Sequence, residues 1–326
     1  MKDDPLTTKR RKVLVFGGSG FIGEHLSRYF INSGAEVHVA DLVPPKSKGV
    51  HFLKCDVRER IEINHVSGFD TVYNLAAVHR TPGHEPHAYY ETNIAGAINI
   101  TNWCRENIIT ELFFASSISV YGRSNSEITE NSPTSPETDY GRSKLLAERI
   151  HQIWASEEAI RRLVICRPAV IFGNGENGNF SRLAKAISRN LFIIPGDDSV
   201  VKPSGYVTDL IESILFVQSK NSNVTYNFSF PSHYTIGEIC REIASIGQYS
   251  IPKRLPVKPL LPIIRRLGTP MSYIAIRASK LLDSNYVLPK FLIDSNFVWK
   301  YDLNSSLLDW YKESGFDLIG PRNQFH

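Results

Sequence analysis

The stretch "KVLVFGGSGFIGEHL", residues 12–26, constrains the fold more than any other. An apolar run breaks into Gly17, Gly18, Gly20 and Gly23 and then resumes with helical character. Glycines where a strand turns into a helix allow a tight bend and a close approach to the backbone, and the free amides at the helix start attract an anion. Two phasings fit a dinucleotide pyrophosphate, Gly18-x-Gly20-x-x-Gly23 and Gly17-x-x-Gly20-x-x-Gly23. Roughly 20 residues further on, the spacing usual for the ribose-binding acid, Asp41 closes the run "EVHVAD". A carboxylate there accepts both adenosine ribose hydroxyls and repels a 2′-phosphate. Lys46 and Lys48 come only after Pro44 and Pro45, so NAD is favoured over NADP.

Short β-rich runs recur with helical segments between them: "KVLVFG", "EVHVAD", "VHFLKCDV", "TVYNLAA", "LFFASS" and "LVICRPAVIFG". Mostly apolar strands alternating with helices predict an α/β fold, a parallel sheet covered on both faces. After Gly173 the chain turns to loops rich in Gly, Asn and Pro with shorter helices, which predicts a smaller second domain over the strand ends. The net charge of +4, from 37 basic and 33 acidic residues, is too balanced for a dedicated nucleic-acid binder. Cys55, Cys104, Cys166 and Cys240 form no CxxC pair and read as packed thiols of a reducing cytosol. The N-terminus is too short in apolar residues for a signal peptide, and no window reaches the length of a membrane span.

Two further segments carry chemistry. In "DYGRSKLLAE", Tyr140 and Lys144 are four apart and share one helix face. An ammonium and a nicotinamide cation near the phenol are expected to lower its pKa and make it a usable proton acceptor. Ser117, ending the strand of "LFFASS", is placed to hydrogen-bond the same substrate hydroxyl. In "CDV", Asp56 and Val57 are placed to flank an adenine. His79, His84 and His87 lie around Pro82 without metal-ligand spacing, and no metal is expected.

These residues resemble the extended short-chain dehydrogenases/reductases, specifically the NAD-dependent epimerase/dehydratase group. "GGSGFIG", "AD", "CDV", "NLAA", "ETNIAGA", "SSISVYG", "YGRSK", "RPAVIFG" and "GYVTDL" stand in that family's order and spacing along essentially the whole chain. The resemblance implies a Rossmann doubly wound parallel sheet, residues 10–172 and 205–230, that binds NAD. A smaller C-terminal α/β substrate domain takes 173–204 and 231–326. It implies catalysis by Ser117, Tyr140 and Lys144. The cofactor contacts it implies are Gly17, Gly20, Phe21, Ile22, Gly23, Asp41, Asp56, Val57, Leu75, Ala76, Ala77, Asn93, Ser116, Tyr140, Lys144 and Pro168. It also implies a homodimer through helices around 88–106 and 141–156.

Sugar dehydratases of the family carry an Asp-Glu pair after the active-site Ser/Thr, where this chain has Ile118 and Ser119. That disfavours a dehydratase and leaves a C4 epimerase, with a keto-sugar reductase or a non-catalytic NAD sensor as alternatives. A sugar diphosphate is the expected substrate, held by Lys202, Asn179 and Arg277, with Arg80 near the sugar and Ser117 on the reacting hydroxyl. The segment 112–210, with Val170 where soluble UDP-galactose epimerases have an Asn, looks closer to bacterial epimerases of undecaprenyl-diphospho-N-acetylglucosamine. Those start O-antigen repeats of lipopolysaccharide. Apolar groups beside Lys258, Arg265 and Arg266 are suited to an anionic bilayer, so the expected location is the cytoplasm, at the inner membrane face.

Overall fold

The computed structural model describes residues 10–63, 66–79, 83–124, 126–255 and 284–318. Arg80, Lys258, Arg265, Arg266 and Arg277 lie outside the described residues. The sheet begins with β1 (Lys12–Phe16), β2 (Glu36–Asp41), β3 (His51–Lys54), β4 (Thr71–Asn74), β5 (Glu111–Ala115) and β6 (Arg162–Pro168). Together with β10 (Val224–Phe228) they form a seven-stranded sheet in the order β10-β6-β5-β4-β1-β2-β3. The pairings among the first six are parallel. Parallel strands need both faces covered, which is why β1 is apolar at Val13, Leu14, Val15 and Phe16 and fully buried there.

The chain winds outward from β1 to β3 and then returns to β4 on the other side of β1. That reversal is where open α/β sheets bind ligands, beyond the carboxyl ends of the strands. The register aligns those ends, with Phe16 opposite both Ala40 and Asn74, and Ala115 opposite Cys166. The loops after β1, β2, β4 and β5 therefore emerge at one edge. α1 (Phe21–Asn32) follows the glycine loop. α2 (Pro86–Tyr90), a π-turn (Glu91–Ala95) and α3 (Gly96–Glu106) run on without a break in helical backbone. α4 (Asp139–Ser156) starts at Thr138, whose side chain accepts from the Gly141 amide at 3.1 Å. Capping of this kind satisfies an otherwise orphan donor and fixes the residue at which the helix begins.

The run "LVICRPAVIFG" does not make one strand. It divides into β6 and β7 (Val170–Phe172), and β7 pairs with β9 (Ser204–Tyr206) instead of extending the large sheet. Pro168 explains the division, since it has no N–H to continue the ladder.

The described residues group into two compact units. One contains residues up to Gly122, Thr134–Arg167 and Ile214–Thr225, and the other contains Arg123–Pro133, Pro168–Ser213 and the residues from Tyr226 on. The first unit's core includes Leu14, Phe16, Trp103, Phe114 and Trp154. The second unit holds α5 (Asn179–Ser188), β8 (Ile194–Pro195), β11 (Arg254–Leu255) and α7 (Ile236–Gly247). It also holds α8 (Lys290–Asp294) and α9 (Leu303–Ser314). Phe172, Tyr206, Cys240 and Trp310 are in its core. α6 (Val207–Gln218) continues from this unit into the first. From sequence, residues 123–133 belong with the dinucleotide domain. They group with the second unit because Ile128 bridges Val287 and because Glu130 accepts from the amides of Asn227 and Phe291.

Candidate active site

At the glycine loop, each glycine answers to a different constraint. Gly17 has φ +73°, and a Cβ there would lie 2.6 Å from the Ala76 amide nitrogen, so the loop after β4 packs directly against it. A Cβ on Gly18 would lie 2.8 Å from Val39, and one on Gly23 would lie 2.5 Å from Gly18 Cα. Both phasings thus have a physical basis, because Gly17, Gly18 and Gly23 are all required by packing. Gly20 differs. It is exposed, and a Cβ there would meet only the Gly17 carbonyl at 3.3 Å.

No side chain caps the start of α1, where Phe21, Ile22 and Gly23 present the first-turn amides. Asp41 stands beside this loop. Its two carboxylate oxygens accept from the Ser19 amide at 3.0 Å and the Leu42 amide at 2.7 Å. An uncapped helix start beside open space at Gly20, with a carboxylate fixed next to the loop, fits a dinucleotide whose pyrophosphate meets the amides and whose ribose meets Asp41.

Leu75, Ala76 and Ala77 follow β4. Leu75 donates its amide to Phe16 at 2.9 Å, and Ala76 donates to the Asn74 side chain at 3.2 Å. Asn93 is buried in the π-turn. Its Oδ1 accepts from the Val78 amide at 3.0 Å, and its Nδ2 donates to Ser143 Oγ at 2.8 Å, so it ties this loop to α4. Asp56 is engaged by Arg58, whose Nη2 donates to it at 2.6 Å and holds the carboxyl below its ordinary range. Val57 packs into the core, and its carbonyl accepts from Asn99 at 2.9 Å.

Ser117, Tyr140 and Lys144 come together where β5 ends against α4. A Cβ at Gly141 would lie 2.4 Å from the Ser119 carbonyl, so only glycine lets the turn after Ser117 approach the helix start this closely. Ser117 is buried, accepts from the Ser119 amide at 3.1 Å and donates to Ser119 Oγ at 3.1 Å. Tyr140 is half-buried, with the Tyr89 ring centroid 6.2 Å from its own. Burial pushes its phenol up to about 12, and the nearby Ser117 hydroxyl works to lower it. The lowering expected from sequence is therefore not supplied by the protein's own groups, because burial costs the phenolate more than Ser117 returns.

Lys144 is buried, donates to the Ala115 carbonyl at 2.6 Å and lies 4.7 Å above the Phe114 ring. Burial pushes its ammonium down to about 7, and the Glu148 charge works to raise it. Beneath this group, Glu148 accepts from Ser116 at 2.5 Å and from Arg167 Nε and Nη2 at 2.9 and 2.7 Å. Glu148 and Arg167 were not singled out from sequence. The signal was present, since Tyr140, Lys144 and Glu148 recur every four residues along α4.

Pro168 ends β6. In the second unit, Asn179 opens α5 and accepts from Arg182 at 3.0 Å, and the Lys202 amide donates to the Tyr234 carbonyl at 2.9 Å. Elsewhere in the first unit, Glu36, His38 and His51 meet at the starts of β2 and β3. There the Glu36 carboxylate is already taken by His38 at 2.7 Å and Lys12 at 3.2 Å.

A model of the NAD dependent epimerase/dehydratase family matches residues 13–237, which span the glycine loop, Asp41, Ser117, Tyr140 and Lys144. The chain belongs to this family. Its cofactor is NAD, and it is an enzyme of the sugar-epimerase kind. It is 31% identical over 256 residues to the N-acetyl-alpha-D-glucosaminyl-diphospho-ditrans,octacis-undecaprenol 4-epimerase of Escherichia coli O157:H7, covering 75% of this chain and 73% of that protein. It is 26% identical over 301 residues to the UDP-glucose 4-epimerase of Lactobacillus helveticus, covering 81% and 88%. Among solved structures, the fold is shared with the UDP-glucuronic acid 4-epimerase of Bacillus cereus in complex with NAD. The TM-score is 0.76 at 19% identity, over 94% of this chain and 99% of that one.

Proposed function

We propose that the protein is an NAD-dependent C4 epimerase of a diphosphate-activated amino sugar, with the undecaprenyl-diphospho-N-acetylglucosamine form as first substrate and the UDP-linked form second. The carrying observation is that Ser117, with Tyr140 beside it, follows the end of β5 where buried Lys144 donates to the Ala115 carbonyl, with the non-acidic Ile118 and Ser119 coming after Ser117. Elimination of water needs an acid and a base beside the sugar, and that position offers neither. Identity to the Escherichia coli O157:H7 enzyme supports the lipid-linked form.

In this reading Ser117 holds the sugar 4-hydroxyl in line, and Tyr140 takes its proton and later returns it to the product hydroxyl. Bound NAD supplies the hydride acceptor and donor at C4, and a positive ring charge beside the phenol. Phe21, Ile22 and Gly23 hold its pyrophosphate and Asp41 its ribose, with Leu75–Ala77, Ser116 and Pro168 along its length. Asn93 keeps the β4 loop in place. Lys202 and Asn179 hold the substrate diphosphate, with Arg277 and Arg80 as further donors, because phosphate oxygens need charge-assisted partners.

Exposed Ile98 on α3 and Leu146 and Ile153 on α4 support a homodimer through these helices. Among the described residues, no helix is long and apolar enough to cross a membrane. A lipid-linked substrate places the work at the inner membrane face, in assembly of a surface polysaccharide such as the O-antigen.

The test offers UDP-GlcNAc and undecaprenyl-diphospho-GlcNAc separately and looks for the 4-epimer of each. Conversion of the lipid-linked sugar without added cofactor is expected. Turnover of neither sugar, with NADPH consumed when a 4-keto sugar diphosphate is offered, identifies a keto-sugar reductase instead.

A further inference from the structure

Glu148 has no place in the reaction as described so far, yet its surroundings are built with care. It is fully buried, and an unpaired carboxylate there would be strongly disfavoured. Three donors hold it. Arg167 grips both oxygens in a forked pair, and Ser116 donates to Oε1. Arg167 is itself fixed, donating from Nη1 to the Tyr121 hydroxyl at 2.8 Å with its guanidinium 4.9 Å from that ring. Burial works against the guanidinium's charge, but the hydrogen bonds and charge of Glu148, together with Tyr121, outweigh it. The carboxylate thus joins the end of β5, the end of β6 and the middle of α4.

Both ends of this network reach the reacting groups. Ser116 directly precedes Ser117, and Lys144 lies one helical turn before Glu148. We propose that Glu148 is a positioning residue for the reaction: held by Arg167 and Ser116, its charge keeps Lys144 in the ammonium form, while its hydrogen bonds fix the strand end that carries Ser117.

The other charged or titratable groups around Lys144 do not do this work. His151, further along α4, is buried with Nδ1 bonded to the Ala147 carbonyl at 2.6 Å and Nε2 facing Asn74 at 3.1 Å. Its pKa is pushed down to about 4 by burial, so it is neutral at pH 7. Tyr140 is a neutral phenol in the protein's own field, and Arg167 carries the same sign as Lys144. Glu148 supplies the attraction that opposes the burial of the ammonium. Burial already presses the ammonium down, so loss of that attraction weakens it further.

This inference rests on the epimerase reading for its importance, but its test does not need a sugar. Two variants separate charge from shape: Glu148→Gln keeps the shape and removes the charge, and Glu148→Asp keeps the charge and shortens the arm. NAD-loaded protein is labelled with 15N-lysine, and the Lys144 Nζ signal, identified by its loss in Lys144→Met, is followed against pH. Ordinary lysines titrate near ~10.4, so a midpoint around 7 stands apart.

In Glu148→Gln the midpoint is expected to fall by about one pH unit, and turnover at pH 7 to fall with it. In Glu148→Asp the midpoint is expected to stay close to that of the wild type, even though packing is disturbed. A purely structural role predicts the reverse order, with Gln mild and Asp severe. An unmoved midpoint in Glu148→Gln, or an equal fall in both variants, overturns the proposal. Should Glu148→Gln fail to fold, the double variant Glu148→Gln/Arg167→Met, which removes both buried charges together, takes its place: a fallen midpoint supports the proposal, and an unmoved one overturns it. The expected Lys144 shift in a protein that turns over no sugar contradicts the epimerase reading and leaves the inference standing.

Discussion

Tyr140→Phe is expected to lower turnover by roughly 100- to 10,000-fold, the usual loss when a positioned proton carrier is removed, while NAD stays bound. The variant keeps the ring and its contact with Tyr89 and removes only the oxygen that faces Ser117. Stability should change little, by no more than about 1.5 kcal/mol for one hydrogen bond. The glycine loop follows β1 and Asp41 ends β2, so the cofactor's grip is untouched. Two measurements check this: kcat on the accepted sugar, and NAD released when the purified variant is denatured. Turnover within tenfold of the wild type would remove Tyr140 from the proposed role.

Two glycines of one loop should fail in opposite ways. Gly23→Ala drives a Cβ to 2.5 Å from Gly18 Cα and 2.7 Å from the Gly17 carbonyl, both backbone atoms that cannot swing aside. Its melting temperature should fall by several degrees, and NAD should be lost with the geometry of the turn. Gly20→Ala meets only the Gly17 carbonyl, at 3.3 Å. Its fold should hold, yet NAD affinity should drop about tenfold or more, because the added methyl occupies space reserved for the pyrophosphate. Melting curves and NAD titrations of both variants check the contrast. If Gly20→Ala binds NAD like the wild type, the pyrophosphate does not approach the loop there.

Much of the first unit was legible in the sequence because its signals are local. Apolar runs named the strands, Gly17, Gly20 and Gly23 marked the turn, and the four-residue spacing of Tyr140 and Lys144 put them on one helix face. What the sequence hid depends on neighbours far along the chain. The role of Gly141 becomes visible only once the Ser119 carbonyl is seen pressed against it. Glu148 reads as an ordinary helix-surface acid until Arg167, brought by β6, and Ser116, brought by β5, close around it.

The break of "LVICRPAVIFG" was foreseeable from Pro168, but the apolar pattern on both sides concealed it. The grouping of residues 123–133 with the second unit was not, since it depends on Val287 and Phe291. Asp56 stands where its position suits an adenine, and Arg58 two residues later donates to its carboxylate.

The most direct test of the account uses the accepted sugar diphosphate carrying deuterium at C4. The protein is given this sugar without added cofactor, and the epimer is analysed by mass spectrometry. An epimerase that returns the abstracted hydride to the same carbon predicts a product with its C4 deuterium intact and no demand for reduced cofactor. Loss of that deuterium, or product that forms only with added NADH or NADPH, would contradict the account.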